Sequence, residues 1–151
     1  MLNLKTLWPK PLAVNNRFLY ALGALSFLGF LDASFLTAEH FLGGTVPCSL
    51  GQCETVLNSV YSSLWGIPVA IFGALFYFFV LAVVFFAWET GRKEITGLLL
   101  PASFLAFLAS LYFVYLQFFV IHALCWYCLF SALLSTVIFI ITVTIYVKKA
   151  N

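Results

Sequence analysis

The stretch "FYFFVLAVVFFAW", residues 76–88, decides the fold, because it is apolar on every side and carries no charge. A strand of a membrane barrel alternates apolar residues with polar ones that face the lumen, and this run shows no such alternation. Within a bilayer, a backbone satisfies its own hydrogen bonds only as a helix or a closed barrel. The run therefore predicts a membrane-spanning helix.

Three further stretches have the same character. A helix crosses a bilayer core with roughly 20 apolar residues, and the stretches of that length are 18–39, 65–88, 95–120 and 125–147. The 151-residue chain is 64% hydrophobic and only 8% charged, which excludes a water-soluble domain and offers no basic surface for nucleic acid. We predict an all-α membrane protein in which residues 1–151 form a single domain, a bundle of four transmembrane helices.

The basic residues all fall on one side of this predicted bundle. They are Lys5, Lys10, Arg17, Arg92, Lys93, Lys148 and Lys149. Because positive charge is retained on the cytoplasmic side, both termini are predicted to be cytoplasmic. The connections at about 40–64 and around His122 then face outward. The four cysteines lie in or beside these connections, on the oxidising side.

The first outward connection contains "GGTVPCSLGQCETVLNS", residues 43–59. Its two glycines and Pro47 predict an irregular, mobile segment around Cys48. Apolar residues then recur at helical spacing, which predicts a short amphipathic helix lying flat over the mouth of the bundle. These residues are Val56, Leu57, Val60, Tyr61 and Leu64. Gly66 and Pro68 mark the start of the second span.

The stretch "LCWYCLF", residues 124–130, places Cys125 and Cys128 three positions apart at the start of the fourth span. That spacing puts both thiols on one face of a helix. A helix N-terminus stabilises a thiolate, and Cys-X-X-Cys pairs characteristically have lowered thiol pKa values. Cys48 and Cys53 form a second pair in a segment able to swing. One mobile pair and one fixed pair are what a thiol–disulfide relay needs, because exchange proceeds by direct attack of sulfur on sulfur.

The same cysteines are compatible with other functions. Their spacing falls within the range for zinc, but no small polar domain is present for zinc to organise, and no metal is expected. A non-enzymatic four-span protein with two structural disulfides is a further hypothesis, although closing the short loop from Cys125 to Cys128 constrains the unfolded chain little. A carrier that passes electrons outward to exported thiols is a third.

Over nearly its whole length the chain resembles bacterial members of the vitamin K epoxide reductase family. The resemblance rests on four spans with both termini inside, a cysteine pair in the first outer loop, and three local patterns. These patterns are "CETVLNS" at 53–59, "GIP" at 66–68 and "CWYC" at 125–128. In the other four-span disulfide generator of bacterial membranes, the Cys-X-X-Cys lies in the first outer loop, which is a different order.

The resemblance implies a quinone-reducing thiol oxidoreductase of the bacterial cytoplasmic membrane that generates disulfides for exported proteins. By the family pattern, Cys48 and Cys53 are the shuttle pair and Cys53 passes electrons to Cys125. Cys128 is then the cysteine beside the quinone, and Ser59 matches the family serine near the active site. Many bacterial relatives carry a fused thioredoxin-like domain. This chain ends at "YVKKAN", so we expect a thioredoxin-like partner that acts in trans.

Animal members of the family hold the vitamin K head group with an asparagine in the second span and a tyrosine shortly after the Cys-X-X-Cys. Here the second span has no Asn, and no Tyr follows Cys128 until Tyr146. We therefore expect a respiratory quinone of the ubiquinone or menaquinone type, with vitamin K quinone or epoxide reduction as the alternative. By depth in the membrane, the candidates to line its pocket are Phe72, Phe76, Phe118, Phe119 and Phe130.

A few polar residues lie in or near the spans. Asp32 is the only acid well within a span, and an intramembrane carboxyl is costly and often functional. It shares a helix face with Glu39 and is a candidate to carry protons to a reduced quinone, or alternatively to pin helix packing. His40 and His122 lie near the outer interface. Gln117 is a candidate to bridge two helices.

Overall fold

The computed structural model describes residues 15–48, 51–91 and 93–150. Its long helices are α1 (Asn16–Leu42), α3 (Val69–Thr90), α4 (Leu99–Tyr115) and α5 (Trp126–Ala150), and a short helix α2 (Cys53–Leu57) follows α1. Among these residues, four helical segments are long and apolar enough to cross a membrane: Asn16–Leu42, Val69–Thr90, Ile95–Ile121 and Trp126–Lys148. The chain is an integral membrane protein with four spanning helices, and the predicted fold class is confirmed.

Helix ends follow local chemistry. The side chain of Asn15 caps α1 by accepting a hydrogen bond from the Arg17 amide at 3.3 Å. Gly43 and Gly91 end α1 and α3 in the left-handed conformation, with φ of 63° and 64°. Pro68 immediately precedes α3, where a missing backbone N–H leaves no hydrogen bond unmade. The apolar stretch in the sequence predicts a span from residue 65, four residues before α3 begins.

The third span combines three helical geometries. A 3₁₀ helix (Lys93–Leu98) leads into α4, and a π-helical segment (Leu116–Ile121) follows α4. His122 ends the span in the left-handed region with φ of 53°, and the Ala123 amide bonds the Gln117 carbonyl at 3.1 Å. π-helical turns are rare and occur frequently at functional sites.

The segment between α2 and α3 is less helical than its sequence pattern predicts. After α2 the chain forms a 3₁₀ turn (Val60–Ser62) and a hairpin of two short strands, β1 (Ser63–Leu64) and β2 (Ile67–Pro68). Ser59 has an extended backbone with ψ of 155°, and its hydroxyl donates to the Val56 carbonyl at 2.7 Å. Such local side-chain bonds compete with helix propagation. The helix therefore stops at Leu57.

Packing is uneven around the bundle. Helix α1 lies along α3 and α5, and α4 lies along α5, whereas α3 and α4 touch little. Gly29 of α1 leaves room for the ring of Tyr77, whose hydroxyl donates to the Ser131 carbonyl of α5 at 2.7 Å. Tyr77 is 1% exposed. One aromatic residue thus ties three spans together.

Two clusters of buried residues fill the bundle. The first runs from the end where α1 starts and α5 finishes to the middle of the bundle, and its fully buried members include Leu22, Val80, Leu99 and Ile138. At that end the Lys148 ammonium lies 5.3 Å from the centre of the Phe18 ring, which places the start of α1 beside the end of α5. Lys5, Lys10 and Arg92, on which the topology prediction partly rests, lie outside the described residues, as do the side chains of Lys93 and Lys149. The second cluster lies at the opposite end and contains the cysteines.

Candidate active site

The four cysteines meet at one end of the bundle. Cys48 and Cys53 form a disulfide with a Cα–Cα distance of 6.0 Å, whereas Cys125 and Cys128 are free thiols. All four belong to one apolar cluster, in which Cys53 and Cys125 are 1% and 0% exposed. Cys48 and Cys128 are partly buried. The predicted loop pair and helix pair are therefore adjacent.

A backbone hydrogen bond docks the loop on the start of α5. The Gln52 amide donates to the Leu124 carbonyl at 3.0 Å. Since Gln52 precedes Cys53 and Leu124 precedes Cys125, this bond brings the two most buried cysteines into neighbouring positions. Gly51 makes the approach possible, because a Cβ there would lie 2.7 Å from the Leu124 carbonyl oxygen.

The second side of the loop is held by aromatic residues. The Tyr127 hydroxyl contacts the Pro47 carbonyl at 3.4 Å, at the outer limit of a hydrogen bond. The Tyr127 ring lies 5.5 Å from that of Phe35 on α1, centroid to centroid. Because Pro47 precedes Cys48, Tyr127 places the partly exposed cysteine near α5. None of these docking contacts was predicted from the sequence.

The start of α5 is organised around Cys125. Its backbone N–H donates to Gln117 Oε1 at 2.9 Å, and its carbonyl accepts from the Leu129 amide at 3.0 Å. A hydrogen bond from the Cys128 thiol lowers the pKa of Cys125, and the backbone amides of Cys128 and Tyr127 lower it further. Burial and the negative charge of Asp32 oppose this shift. Cys125 is the thiol that the helix start favours as a thiolate.

A cavity of about 640 Å³ opens beside Cys128, between the long helices and the segment that joins α2 to α3. Its walls are mostly apolar, with Phe72 and Phe76 of α3 among them. Pockets for small organic molecules in proteins are typically about 300–1,000 Å³. Phe118, Phe119 and Phe130 do not line the cavity and are 50%, 67% and 44% exposed.

The other predicted site residues are dispersed. Ser59 lines the cavity, and His40 lies at its edge on α1. Asp32 does not line the cavity, but its Oδ2 atom is buried without a hydrogen-bond partner among the described residues. His122 is exposed in the turn between the third and fourth spans.

A family model described as "Vitamin K epoxide reductase family" matches residues 20–143 of the 151-residue chain. The chain belongs to the vitamin K epoxide reductase family. All four cysteines and the walls of the cavity fall within the matched residues, so the resemblance inferred from the sequence is confirmed. Family members are oxidoreductases and are in general linked to quinones. No curated protein matches the chain at a significant level.

Within this vitamin K epoxide reductase framework, two residues of the site were not assigned from the sequence. Gly51 lets the loop approach the Leu124 carbonyl just before α5, and the Gln117 side chain accepts a hydrogen bond from the Cys125 amide. The sequence did offer a signal for Gln117, since an amide side chain in an apolar span requires a partner. It did not show that the partner is the backbone of the Cys-X-X-Cys.

Proposed function

We propose that the chain is a quinone-dependent thiol oxidoreductase that generates disulfides for exported proteins. The observation that carries this proposal is the sequence of contacts at one end of the bundle. A loop disulfide lies against a thiol pair at a helix start, and the second thiol of that pair opens into a large apolar cavity. This arrangement offers a path for electrons from a protein surface to a membrane-soluble acceptor.

The first half of the reaction is thiol–disulfide exchange. A thiolate of a thioredoxin-like partner attacks the sulfur of Cys48, which is less buried than Cys53, and Cys53 leaves as a thiolate. Resolution by the second partner thiol releases the oxidised partner and leaves Cys48 and Cys53 reduced. Cys53 then attacks Cys125 of an oxidised Cys125–Cys128 pair, and Cys128 leaves. Attack of Cys48 on Cys53 regenerates the loop disulfide and frees Cys125.

The second half reduces the quinone. Cys125 and Cys128 together give two electrons and two protons, which convert the quinone to the quinol as their disulfide re-forms. The described state, with a loop disulfide and two thiols at the helix, is the state that precedes this step. A quinone roughly 100 mV more oxidising than the protein disulfide favours the step by about 5 kcal/mol.

The proposed quinone is of the ubiquinone or menaquinone type. Phe72 and Phe76 line the cavity and offer aromatic faces to its ring, while Ser59 borders the same space. The second span has no Asn, and Ala132 rather than a Tyr lines the cavity one turn below Cys128, so the cavity lacks the animal vitamin K head-group ligands. Asp32, with an unpaired carboxylate oxygen, is the proposed proton carrier.

The proposed orientation places the cysteine end outside the cytoplasm and both termini inside. The support is the distribution of all seven basic residues along the sequence together with the packing of Phe18 against Lys148 at the opposite end. A thioredoxin-like partner then meets Cys48 from the extracytoplasmic side. A reporter active only outside the cytoplasm should work when it is inserted near Gly51 and fail when it is fused after Lys149.

Quinol formation by the purified protein in lipid nanodiscs tests the central step. Wild-type protein supplied with a reduced thioredoxin-like protein and a short-chain ubiquinone should form quinol, and Cys128→Ala should fall to the uncatalysed rate.

With Cys125→Ala, the thiolate of Cys128 has no competing thiol and should give a visible charge-transfer band with the quinone. That band should vanish when Cys128 is also replaced. Full quinone-dependent activity of Cys128→Ala would remove Cys128 from the role of electron donor.

A further inference from the structure

Gln117 occupies an unusual position between the cysteines and the cavity. It lies in the π-helical segment at the end of the third span and is 2% exposed, yet it lines the same cavity as Cys128. Its Oε1 atom accepts the Cys125 backbone amide at 2.9 Å. This bond fixes which end of the side-chain amide is the oxygen, and hence where the nitrogen lies.

The amide nitrogen of Gln117 is a donor without an acceptor. No hydrogen bond from Nε2 occurs among the described residues, and Nε2 is not one of the enclosed polar atoms that lack a partner there, so its hydrogens are open to the cavity that Gln117 lines. A buried amide left unpaired is costly, and buried donors in native proteins nearly always have a partner. Since the oxygen is used by Cys125 and the residue faces the cavity, the missing acceptor belongs to whatever fills the cavity.

Two hydroxyls that line the cavity, those of Ser135 and Ser59, differ from Gln117 in this respect. Ser135 donates to the Ala132 carbonyl at 3.0 Å and contacts the Ser110 hydroxyl at 2.7 Å. The Ser59 hydroxyl donates to the Val56 carbonyl. These groups are occupied within the protein, whereas the Gln117 amide still has hydrogens to give.

We propose that Gln117 is a substrate-binding residue whose side-chain N–H donates to a ring carbonyl oxygen of the quinone while its oxygen holds the Cys125 amide. This inference rests on the proposed function and names the group that recognises the substrate. A donor at the carbonyl stabilises the negative charge that the ring oxygen gains as electrons arrive. The same side chain thereby sets the distance between the quinone ring and the Cys-X-X-Cys helix start.

Equilibrium binding of two matched ligands tests the proposal on the full-length protein in lipid nanodiscs, with both cysteine pairs oxidised so that no thiol reduces the quinone. Menadione has two ring carbonyls, and methylnaphthalene has a ring system of nearly the same shape with none. Gln117→Met, which keeps the chain length and removes the amide, should weaken menadione binding about tenfold, as expected for one lost hydrogen bond. Methylnaphthalene should bind both proteins alike. Ser135→Ala, which alters a cavity hydroxyl that is already bonded, should change neither affinity.

Equal weakening of both ligands by Gln117→Met would show a merely structural role and overturn the proposal, as would unchanged menadione binding. If Gln117→Met does not fold, Gln117→Asn, whose amide is one methylene shorter, should show the same selective loss. The infrared spectrum of menadione bound to the wild type gives a further measurement. The stretching frequency of a hydrogen-bonded carbonyl is lower than that of a free one, so one carbonyl band should shift. Two unshifted carbonyl bands would also overturn the proposal. Turnover is measured separately. Selective menadione binding without quinol formation would count against the proposed function and leave this inference standing.

Discussion

The two cysteine pairs are held by different means, although they lie side by side. Cys48 lies in an irregular segment and Cys53 begins α2, and the loop between them contacts α5 through the Gln52 backbone hydrogen bond, the close approach of Gly51 to Leu124 and the long contact from Tyr127 to Pro47. The helix pair is fixed by a buried glutamine and by the first hydrogen bond of α5. A relay needs one partner that leaves and returns and one that stays in place. The loop has few contacts with α5, which suits the partner that leaves and returns. The buried contacts of the helix start suit the partner that stays in place.

The largest expected effect comes from joining the two pairs covalently. In Cys48→Ser/Cys128→Ser, Cys53 and Cys125 should form a disulfide in nearly all molecules, because each is buried and their neighbours Gln52 and Leu124 are hydrogen-bonded. Mass spectrometry of the unreduced protein measures this bond. The matched control is Cys48→Ser/Cys125→Ser, in which Cys128 faces the cavity one turn deeper and should stay free. Comparable cross-linking in both variants would show that the loop does not distinguish the two helix cysteines.

Moving the loop away from α5 should have the next largest effect. Gly51→Ala places a methyl group 2.7 Å from the Leu124 carbonyl oxygen and 3.1 Å from the Trp126 ring, so the segment must shift and the Gln52 bond must lengthen. Electron transfer from the loop pair to the helix pair should slow at least about tenfold, since a small misplacement of reacting groups carries a cost of that order or more. Rapid-mixing measurements of thiol state would follow this step.

A control for that variant lies within the same bundle. Gly23→Ala adds a methyl group 3.6 Å from a Val84 side-chain carbon, which is an ordinary contact. Its transfer rate should match that of the wild type. If Gly51→Ala also kept the wild-type rate, close docking of the loop would be unnecessary for exchange.

A smaller effect concerns the protonation of the helix pair. The Cys128 thiol donates a hydrogen bond to Cys125 and lowers its pKa. As the pH falls, Cys125 should therefore remain a thiolate at pH values where an ordinary cysteine has already become protonated. In reduced protein that carries Cys48→Ser and Cys53→Ser, ultraviolet thiolate absorbance reports this titration. Cys128→Ala removes the donor, so the midpoint should move to higher pH. A midpoint that stays in place would mean that the helix N-terminus alone stabilises the thiolate.

The smallest expected effect is that of Asp32→Asn. The negative charge of Asp32 raises the pKa of Cys125, so its removal should move the same midpoint to lower pH, opposite in sign to the effect of Cys128→Ala. Glu39→Gln, also an acid on α1, should leave the midpoint unchanged. If Asp32 also carries protons to the quinone, quinol formation in Asp32→Asn should slow severalfold. An unaltered rate together with a shifted midpoint would limit Asp32 to an electrostatic role.

The spans could be predicted because they depend on length and apolar composition, which the sequence states directly. What could not be predicted is where helical geometry changes. The left-handed backbone of Trp65, with φ of 50°, turns "SSLWGIP" into a hairpin, and only Gly66 signals such a turn. Likewise, the π-helical segment at 116–121 depends on tertiary contacts and has no local sequence pattern.

The cysteine cluster could be predicted because two spaced pairs on one side of a membrane leave few arrangements. The walls of the cavity could not be predicted, because the depth of a residue in the membrane does not specify on which face of its helix it lies. Phe72 and Phe76 face the cavity, whereas Phe118 and Phe119 lie at comparable depth on an exposed face of the third span. The bond from Cys125 to Gln117 depends on the path of the turn at 122–124, which hydrophobic periodicity does not describe.

The part of the bundle near the start of α1 and the end of α5 is filled mainly by aliphatic side chains, among them Leu22, Leu99 and Ile145, each buried. The cavity beside Cys128 begins in the other half of the bundle, at His40 and Ser59, and extends along α4 as far as Ala102. In the proposed reaction the quinone ring lies beside Cys128, at the cysteine end of the bundle, so the protons that leave the thiols and those that join the quinol exchange with one aqueous phase. No net charge crosses the bilayer, so a membrane potential, worth about 2.3 kcal/mol per charge per 100 mV, does not act on the step. The oxidation is electrically silent, and its rate should be the same in energised and de-energised vesicles.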